Sequence, residues 1–386
     1  MSAPQIPNLL ASRGSPRLRG SRGRGRGGGP ARMDASQRKD LDIQSTDTDA
    51  AVSRLSAVSV GYLDDPFAPY FVNGPGIRRL PVINRGTYTR TSALDILVDA
   101  FLSHASDESK DTPTKQIISL GAGTDTRYFR LRAQNKHRKL VYHEFDFPSV
   151  CGTKSQLVST NQALLSQDDT ATFFTKRSKD SSDSDNESEW GFAGKQNGET
   201  DIRYCCHPLD LRRLPYTPSI KTLNCFHGIC SDIPTLIISE CCLCYLEVDN
   251  AQDVIKWFAD RIPSLGIVLY EPIGVDTSFG KMMVANLASR NITMPTVKMY
   301  KALSDQKQRL SDAGFKATND DGGQDAKTIE HIWENWINAD EKERVDSLEG
   351  LDEVEEWQIL ARHYAVAWGW RGTHGWEKWR NKLEHQ

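Results

Sequence analysis

The chain has 386 residues, 38% hydrophobic and 26% charged, enough apolar material for a sizeable core. Lys and Arg total 48 against 51 Asp and Glu, a net charge of −3 that excludes a uniformly basic nucleic-acid binder. No apolar run approaches the ~20 residues of a membrane-spanning helix, and the N-terminus lacks the apolar centre of a signal peptide. A cytoplasmic protein with no membrane partner is expected. The eight cysteines, with adjacent pairs at Cys205-Cys206 and Cys241-Cys242, follow no disulfide framework and read as reduced thiols.

The charge is concentrated at the start of the chain. Residues 1–40 hold nine basic and two acidic residues, a local charge of +7 that leaves −10 for the rest. Arg19–Gly29 is almost only Arg and Gly and cannot bury enough surface to offset backbone entropy. Residues 1–48 are therefore read as a disordered tail. A solvated tail competes with an RNA-binding arm and with a mitochondrial presequence, whose amphipathic helix the Gly and Pro would break.

Order is expected from about Ala51, in one domain over 49–386. Asp49–Val60 lacks Gly and Pro and predicts a helix. Gly61–Gly76, rich in Pro, Gly and aromatic residues, predicts a packed loop. Asn84–His104 predicts an amphipathic helix that Pro113 follows. Residues 49–112 thus form a helical extension or lid. From Lys115 short apolar runs alternate with turns and helical patterns. The candidate strands are Gln116–Leu120, Leu140–Phe145, Ile202–His207, Thr235–Ser239 and Ile267–Tyr270, with a helix over Asp253–Ile262. This alternation predicts an α/β fold with a mostly parallel sheet flanked by helices. Trp357–Trp370 alternates like a half-buried strand, and 176–200, full of Ser, Asp, Glu and Lys, reads as a flexible insertion.

Chemistry enters at Ile117–Arg127, where an apolar strand runs into Gly121-Ala122-Gly123. Glycines let a ligand approach the backbone, and a following helix N-terminus exposes unpaired N–H groups. An ordinary tight turn would look the same. Position 126 is Thr, so the dinucleotide fingerprint is absent, and no Lys-Ser/Thr completes a phosphate loop. The next strand ends in Asp146, 25 residues after Gly121, where a carboxylate accepts a ribose diol. Asp210-Leu211 follows a third strand and offers a carboxylate and an apolar surface to a purine. Glu240 closes a fourth strand at the edge where open α/β sheets bind ligands. Together these describe a nucleoside pocket with no phosphate to hold, as S-adenosylmethionine requires.

With these motifs the chain resembles the leucine carboxyl methyltransferase family. The matching residues are Ser59-Val60-Gly61-Tyr62 with Asp65-Pro66, Ile83-Asn84-Arg85-Gly86 with Arg90, Leu120-Gly121-Ala122-Gly123 with Asp125-Thr126, and Asp146-Phe147-Pro148. They continue through Asp210-Leu211-Arg212, Glu240-Cys241 with Tyr245, Ser347-Leu348-Glu349 with Leu351-Asp352-Glu353, and Arg362-His363-Tyr364. The resemblance implies a class I methyltransferase fold with an antiparallel C-terminal strand and S-adenosylmethionine as cofactor. It implies a monomer acting on the C-terminal leucine carboxylate of the protein phosphatase 2A catalytic subunit, with regulation of holoenzyme assembly. It assigns Arg54 and Arg90 to the methionine carboxylate, Gly121 to the cofactor backbone and Asp146 to the ribose. Asp210 and Leu211 fall to the adenine, and Glu240 to the region of the methionine amine. The family usually has Lys at Arg54, a change of donor geometry at constant charge.

A peptide α-carboxyl, with a pKa of roughly 3.3–3.7, is already ionised at neutral pH, so no general base is required. Positioning and desolvation are expected to carry catalysis. Arg90 is a candidate for orienting the substrate carboxylate. Tyr245 is read either as a residue of the transfer site or as a core or lid tyrosine, and His363 as structural. No metal site is expected, because the cysteines lack paired C-x-x-C spacing and sit among apolar neighbours. The rival readings are a methyltransferase acting on transfer RNA or a small molecule, and a non-catalytic relative that holds RNA through its tail. The transfer-RNA relatives carry a long C-terminal repeat region, which this sequence lacks. Deletion of 178–198 is expected to be tolerated.

Overall fold

The computed structural model describes residues 34–103, 114–136, 139–165, 170–174, 189–196, 199–216, 222–316, 322–352, 354–372, 376 and 379. Among the described residues, nine strands join in one sheet: β1 (Lys115–Leu120), β2 (Leu140–Asp146), β3 (Thr170–Phe174), β4 (Glu189–Gln196), β5 (Glu199–Pro208), β6 (Thr235–Glu240), β7 (Leu265–Pro272), β8 (Gly322–Thr328) and β9 (Tyr364–Arg371). Their order is β3-β4-β5-β2-β1-β6-β7-β9-β8. The centre, β5-β2-β1-β6-β7, is parallel. β9 is antiparallel to both β7 and β8, and β4 is antiparallel to both β3 and β5. β1 is buried along its whole length, Lys115, Gln116 and Ser119 included, which fits a strand covered on both faces and explains the apolar Ile117, Ile118 and Leu120.

The helices are α1 (Ala35–Val60), α2 (Pro81–Leu102), α3 (Arg127–Ala133), α4 (Pro148–Thr160), α5 (Val248–Ala259), α6 (Ser278–Ala288), α7 (Leu303–Asp312), α8 (Ile329–Asn335), α9 (Ala339–Leu348) and α10 (Val354–Arg362). Pro81 opens α2 and Pro148 opens α4, where the missing N–H costs nothing. One core packs Leu97 and Phe101 of α2 and Phe129 of α3 with Tyr204, Trp368 and Trp376. A second packs Trp257 and Phe258 of α5 against Ile118, Phe145 and Ile267. The expected α/β architecture, with its antiparallel C-terminal strand, is therefore present. Among the described residues, no helix is long and apolar enough to cross a membrane.

Three sequence expectations need correction. The first concerns the tail of residues 1–48, of which 1–33 lie outside the described residues. The helix begins at Ala35 rather than Asp49, because its polar side chains find partners on the sheet domain. Asp40 pairs with Arg212 at 2.8 Å, Gln44 accepts from Ser149 at 2.8 Å, and Asp49 pairs with Arg290 at 2.6 Å. The second concerns 176–200, of which 176–188 and 197–198 lie outside the described residues. Residues 189–196 form β4, whose Trp190 and Phe192 are buried against β5 and α4. Backbone pairing and two aromatic side chains outweigh the polar composition around them. The third concerns Trp357–Trp370, which divides into α10 and β9. Trp357 and Ala361, one helical turn apart, share the buried stripe of α10.

Candidate functional site

Register brings the site together. Leu120 at the end of β1 pairs with Phe145 of β2 and Ser239 of β6, so Gly121, Asp146 and Glu240 leave the sheet side by side. Gly121 and Gly123 take φ of +62° and +48°, values that disfavour any side chain. A Cβ on Gly121 would lie 2.4 Å from Cys242 Sγ, and one on Gly123 would lie 2.3 Å from Asp47 Oδ1. The loop is tied down by Gly121 N–H donating to Phe145 O at 2.8 Å and Gly123 N–H to Asp146 Oδ2 at 2.7 Å. Asp47 of α1 closes over it, accepting from both the N–H and the hydroxyl of Thr124 at 2.7 Å.

Above this edge lies a cavity of about 370 Å³, within the usual range for small-molecule sites. Arg54, Arg90, Gly121, Asp146, Asp210, Leu211, Glu240 and Tyr245 all line it. α1 and α2 contribute Arg54 and Arg90, and the ends of β2 and β6 contribute Asp146 and Glu240. After Glu240 the chain turns sharply, with Cys241 at φ +49°. A short 3₁₀ turn over Leu243–Tyr245 then brings Tyr245 to the wall. Tyr270 and Tyr364 stack at 5.4 Å on another wall. Met283, Leu287, Met294, Trp357 and Leu360 give the cavity its apolar side. Among the described residues, no histidine lines it.

The polar floor is a network of buried charges. Glu240 sits between Arg90, 2.8 Å away, and Arg127, 3.2 Å away. Arg127 also pairs with Asp125, and Arg130 with Asp95 at 2.6 Å. Arg54 reaches Asp65 at 3.4 Å and Asp125 at 4.0 Å. Burial pushes the Glu240 carboxyl up, but Arg90 and Arg127 outweigh it and hold the pKa below the ordinary value. Burial likewise opposes Arg127 and Arg54 at Asp125, and the cations again win. Arg54, with burial and the charge of Arg130 against it, is held below the ordinary arginine value.

Asp146 differs. Burial raises it to about 7, despite N–H bonds from Gly123 and Phe147 and with Asp47 adding repulsion. Asp47 itself is raised, chiefly by burial. Burial also pushes the Tyr245 phenol well up, so it stays protonated.

Three predicted residues, Asp210, Arg90 and Glu240, line the cavity but are already engaged. Both oxygens of Asp210 accept from Arg212, at 2.6–3.0 Å. An adenine amine would therefore share that carboxylate with a guanidinium. Arg90 and Glu240, assigned to opposite ends of one ligand group, are bound to each other. The assignments also omitted Asp47, Asp125, Arg127, Tyr270 and Tyr364. Asp125 and Arg127 lay one turn beyond the Gly-x-Gly loop, and Asp47 lay in a run free of Gly and Pro, so a signal existed for those three. His363 lies outside the cavity lining, bonded through Nδ1 to Ile359 O and through Nε2 to Thr277, both at 2.6 Å. Away from the cavity, Glu189, Cys205 and His207 bring metal-ligating atoms together.

The donors suit S-adenosylmethionine: a carboxylate acceptor beside a backbone cradle for a nucleoside, and cations plus an anion where an amino acid would lie. Comparison with known proteins agrees. The family model for leucine carboxyl methyltransferase matches residues 42–259. Leucine carboxyl methyltransferase 1 of Emericella nidulans is 42% identical over 96% of this chain and 95% of its own length. The Aspergillus fumigatus protein of the same name is 42% identical over 97% and 96%. The transfer-RNA wybutosine-synthesizing protein 4 of Rattus norvegicus is 32% identical, over 87% of this chain but only 45% of its own length. The parallel sheet with an antiparallel strand beside β7 is that of a class I methyltransferase. With the nucleoside edge intact and the match running through both the α1 lid and the sheet, the chain belongs to the leucine carboxyl methyltransferase family.

Proposed function

We propose that the protein methylates the α-carboxylate of the C-terminal leucine of the protein phosphatase 2A catalytic subunit, giving a methyl ester. The enzyme is a leucine carboxyl methyltransferase, as its relatives are named, with S-adenosylmethionine as its cofactor. The phosphatase tail is the finer part of the reading. One observation carries it: a single cavity is lined both by Arg90, paired with Glu240, and by the apolar Met283, Leu287 and Met294. Such a site offers a cation to a carboxylate and apolar surface to a leucine side chain.

S-adenosylmethionine, when bound, supplies a methyl group already activated on a sulfonium. Asp146 accepts from the ribose hydroxyls, Leu211 packs on the adenine, and Asp210 takes its amino group while keeping Arg212. Arg54 and Arg90 face the methionine carboxylate, and Glu240 its amine. Arg90 also orients the leucine carboxylate, which is ionised without help. The Tyr245 hydroxyl, a protonated donor at the wall, holds that carboxylate in line. The cavity walls exclude water and so strip solvation from a weak nucleophile.

The test is transfer of radiolabelled methyl to the phosphatase core complex, beside a matched complex lacking the final leucine. Base-labile label that disappears with that leucine is the expected result. Absence of transfer from an enzyme that binds the cofactor would overturn the phosphatase assignment.

A further inference from the structure

The β4–β5 edge of the sheet carries ligating side chains that the cofactor cavity does not use. Alternation along β5 puts Cys205 and His207 on one face, where His143 of β2 lies in register with Cys205. β4 runs antiparallel with Trp190 opposite Cys206, which brings Glu189 beside His207. Glu189 Oε1 is 2.6 Å from His207 Nδ1. Cys205 Sγ is 3.9 Å from that same nitrogen. Glu189 Oε2 contacts Nδ1 of His227 and accepts its backbone N–H at 3.3 Å. One ligand atom each from Glu189, Cys205 and His207 lies within 4.8 Å of the other two, and all three residues are buried.

We propose that Glu189, Cys205 and His207 bind a divalent transition metal ion, zinc by preference, with His227 completing the set from the solvent side. A thiol, an imidazole and a carboxylate form a donor set for zinc rather than for calcium or magnesium. Bond lengths of roughly 2.0–2.3 Å in a tetrahedron put ligand atoms about 3.3–3.7 Å apart. The observed 2.6 and 3.9 Å straddle that range. A small rotation of the carboxylate opens the shorter distance.

Two further features favour an ion. Among the described residues, the ion-pair partners of buried Glu189 are histidines, not Lys or Arg, so its charge lacks a permanent counter-ion. His207 also has the support that metal-binding histidines need, since its Nε2 is 3.0 Å from His143 Nδ1.

Binding exchanges the metal ion for the Cys205 thiol proton, which leaves to solvent. The ring proton of His207 then sits on Nε2 and is donated to His143. Burial raises the thiol pKa well above the ordinary value, so without metal Cys205 is neutral. The ion would pin β4 to β5 and to the segment at His227, and β5 leads within three residues to Asp210. This departs from the expectation of metal-free thiols, which weighed the cysteines without Glu189 and His207.

The experiment uses the full chain, purified without a metal-binding tag or chelator, and measures bound metal by mass spectrometry. Zinc is then exchanged for cobalt(II) and the absorption spectrum recorded. About one zinc ion per chain is expected, with a cobalt–thiolate charge-transfer band. Both are lost in Cys205→Ser and kept in Cys230→Ser. Glu189→Gln preserves the shape of the site and is expected to weaken zinc affinity at least tenfold, which keeps the test valid if Cys205→Ser misfolds. A folded wild-type chain with no retained zinc and no charge-transfer band would overturn the site. Equal metal content in wild type and folded Cys205→Ser would show an adventitious ion only, and overturn it as well.

Discussion

The pH dependence of cofactor binding should be governed by Asp146. Its pKa in the empty fold is about 7, against an ordinary 3.8. A ribose diol donates hydrogen bonds, so it needs the ionised carboxylate, while the empty pocket favours the neutral acid. If the neutral form does not bind, affinity is nearly constant above pH 7 and falls about tenfold for each pH unit below it, ~1.4 kcal/mol per unit. Between pH 8 and pH 6 the dissociation constant should therefore rise by roughly tenfold.

Stability of the empty protein should run the opposite way. A folded-state pKa raised above the unfolded value contributes stability that is complete below pH about 4 and is lost as pH rises through about 7. Calorimetric titration with S-adenosylhomocysteine at constant ionic strength, in wild type and Asp146→Asn, separates the causes. Asp146→Asn should bind more weakly and with a flat profile through this range. An affinity in wild type that does not change between pH 6 and 8, or a slope that survives in Asp146→Asn, would refute the reasoning.

Gly121→Ala should lower the melting temperature by several degrees, because a left-handed backbone costs a non-glycine residue roughly 1–3 kcal/mol and the new Cβ meets Cys242 Sγ at 2.4 Å. Adding Cys242→Gly, which removes both the Sγ and the Cβ that the new methyl would meet, should recover the steric part alone, and a Gly121→Ala chain that melts like wild type would exclude the cradle geometry. Arg90→Ala should reduce kcat/KM by roughly 100-fold, ~3 kcal/mol for the charge-assisted hydrogen bonds it offers to the cofactor and substrate carboxylates. Arg90→Lys should fall between, and an Arg90→Ala enzyme within twofold of wild type would remove Arg90 from the mechanism. Deleting 178–187 should leave the melting temperature nearly unchanged. Deleting 178–198 should lower it sharply, since burial of Trp190 alone is worth ~3–5 kcal/mol. Equal melting of the two deletions would show that β4 does not matter.

What could be read without the structure was local. The apolar run of β1, the Gly-x-Gly loop and the acids that end β2 and β6 are written in contiguous residues, because strand period and turn chemistry depend on near neighbours. In a parallel sheet such strand ends converge on one edge, so the nucleoside pocket followed from order alone. The start of α1 was not legible in this way. Its first turns are polar, and they are held by Arg212, Ser149 and Thr124, residues far along the chain. β4 likewise owes its existence to β5, since strand pairing with a remote segment overrides a polar composition.

The sequence by itself determined the nucleoside-binding edge, and its resemblance to a family assigned arginines from the helical extension to the same site. Only the tertiary structure decided how those charges neutralise one another. Glu240 takes Arg90 and Arg127, Asp210 takes Arg212, and Glu189 meets Cys205 and His207. Electrostatic partners are set by distance and burial in three dimensions, and neither has a signature in one.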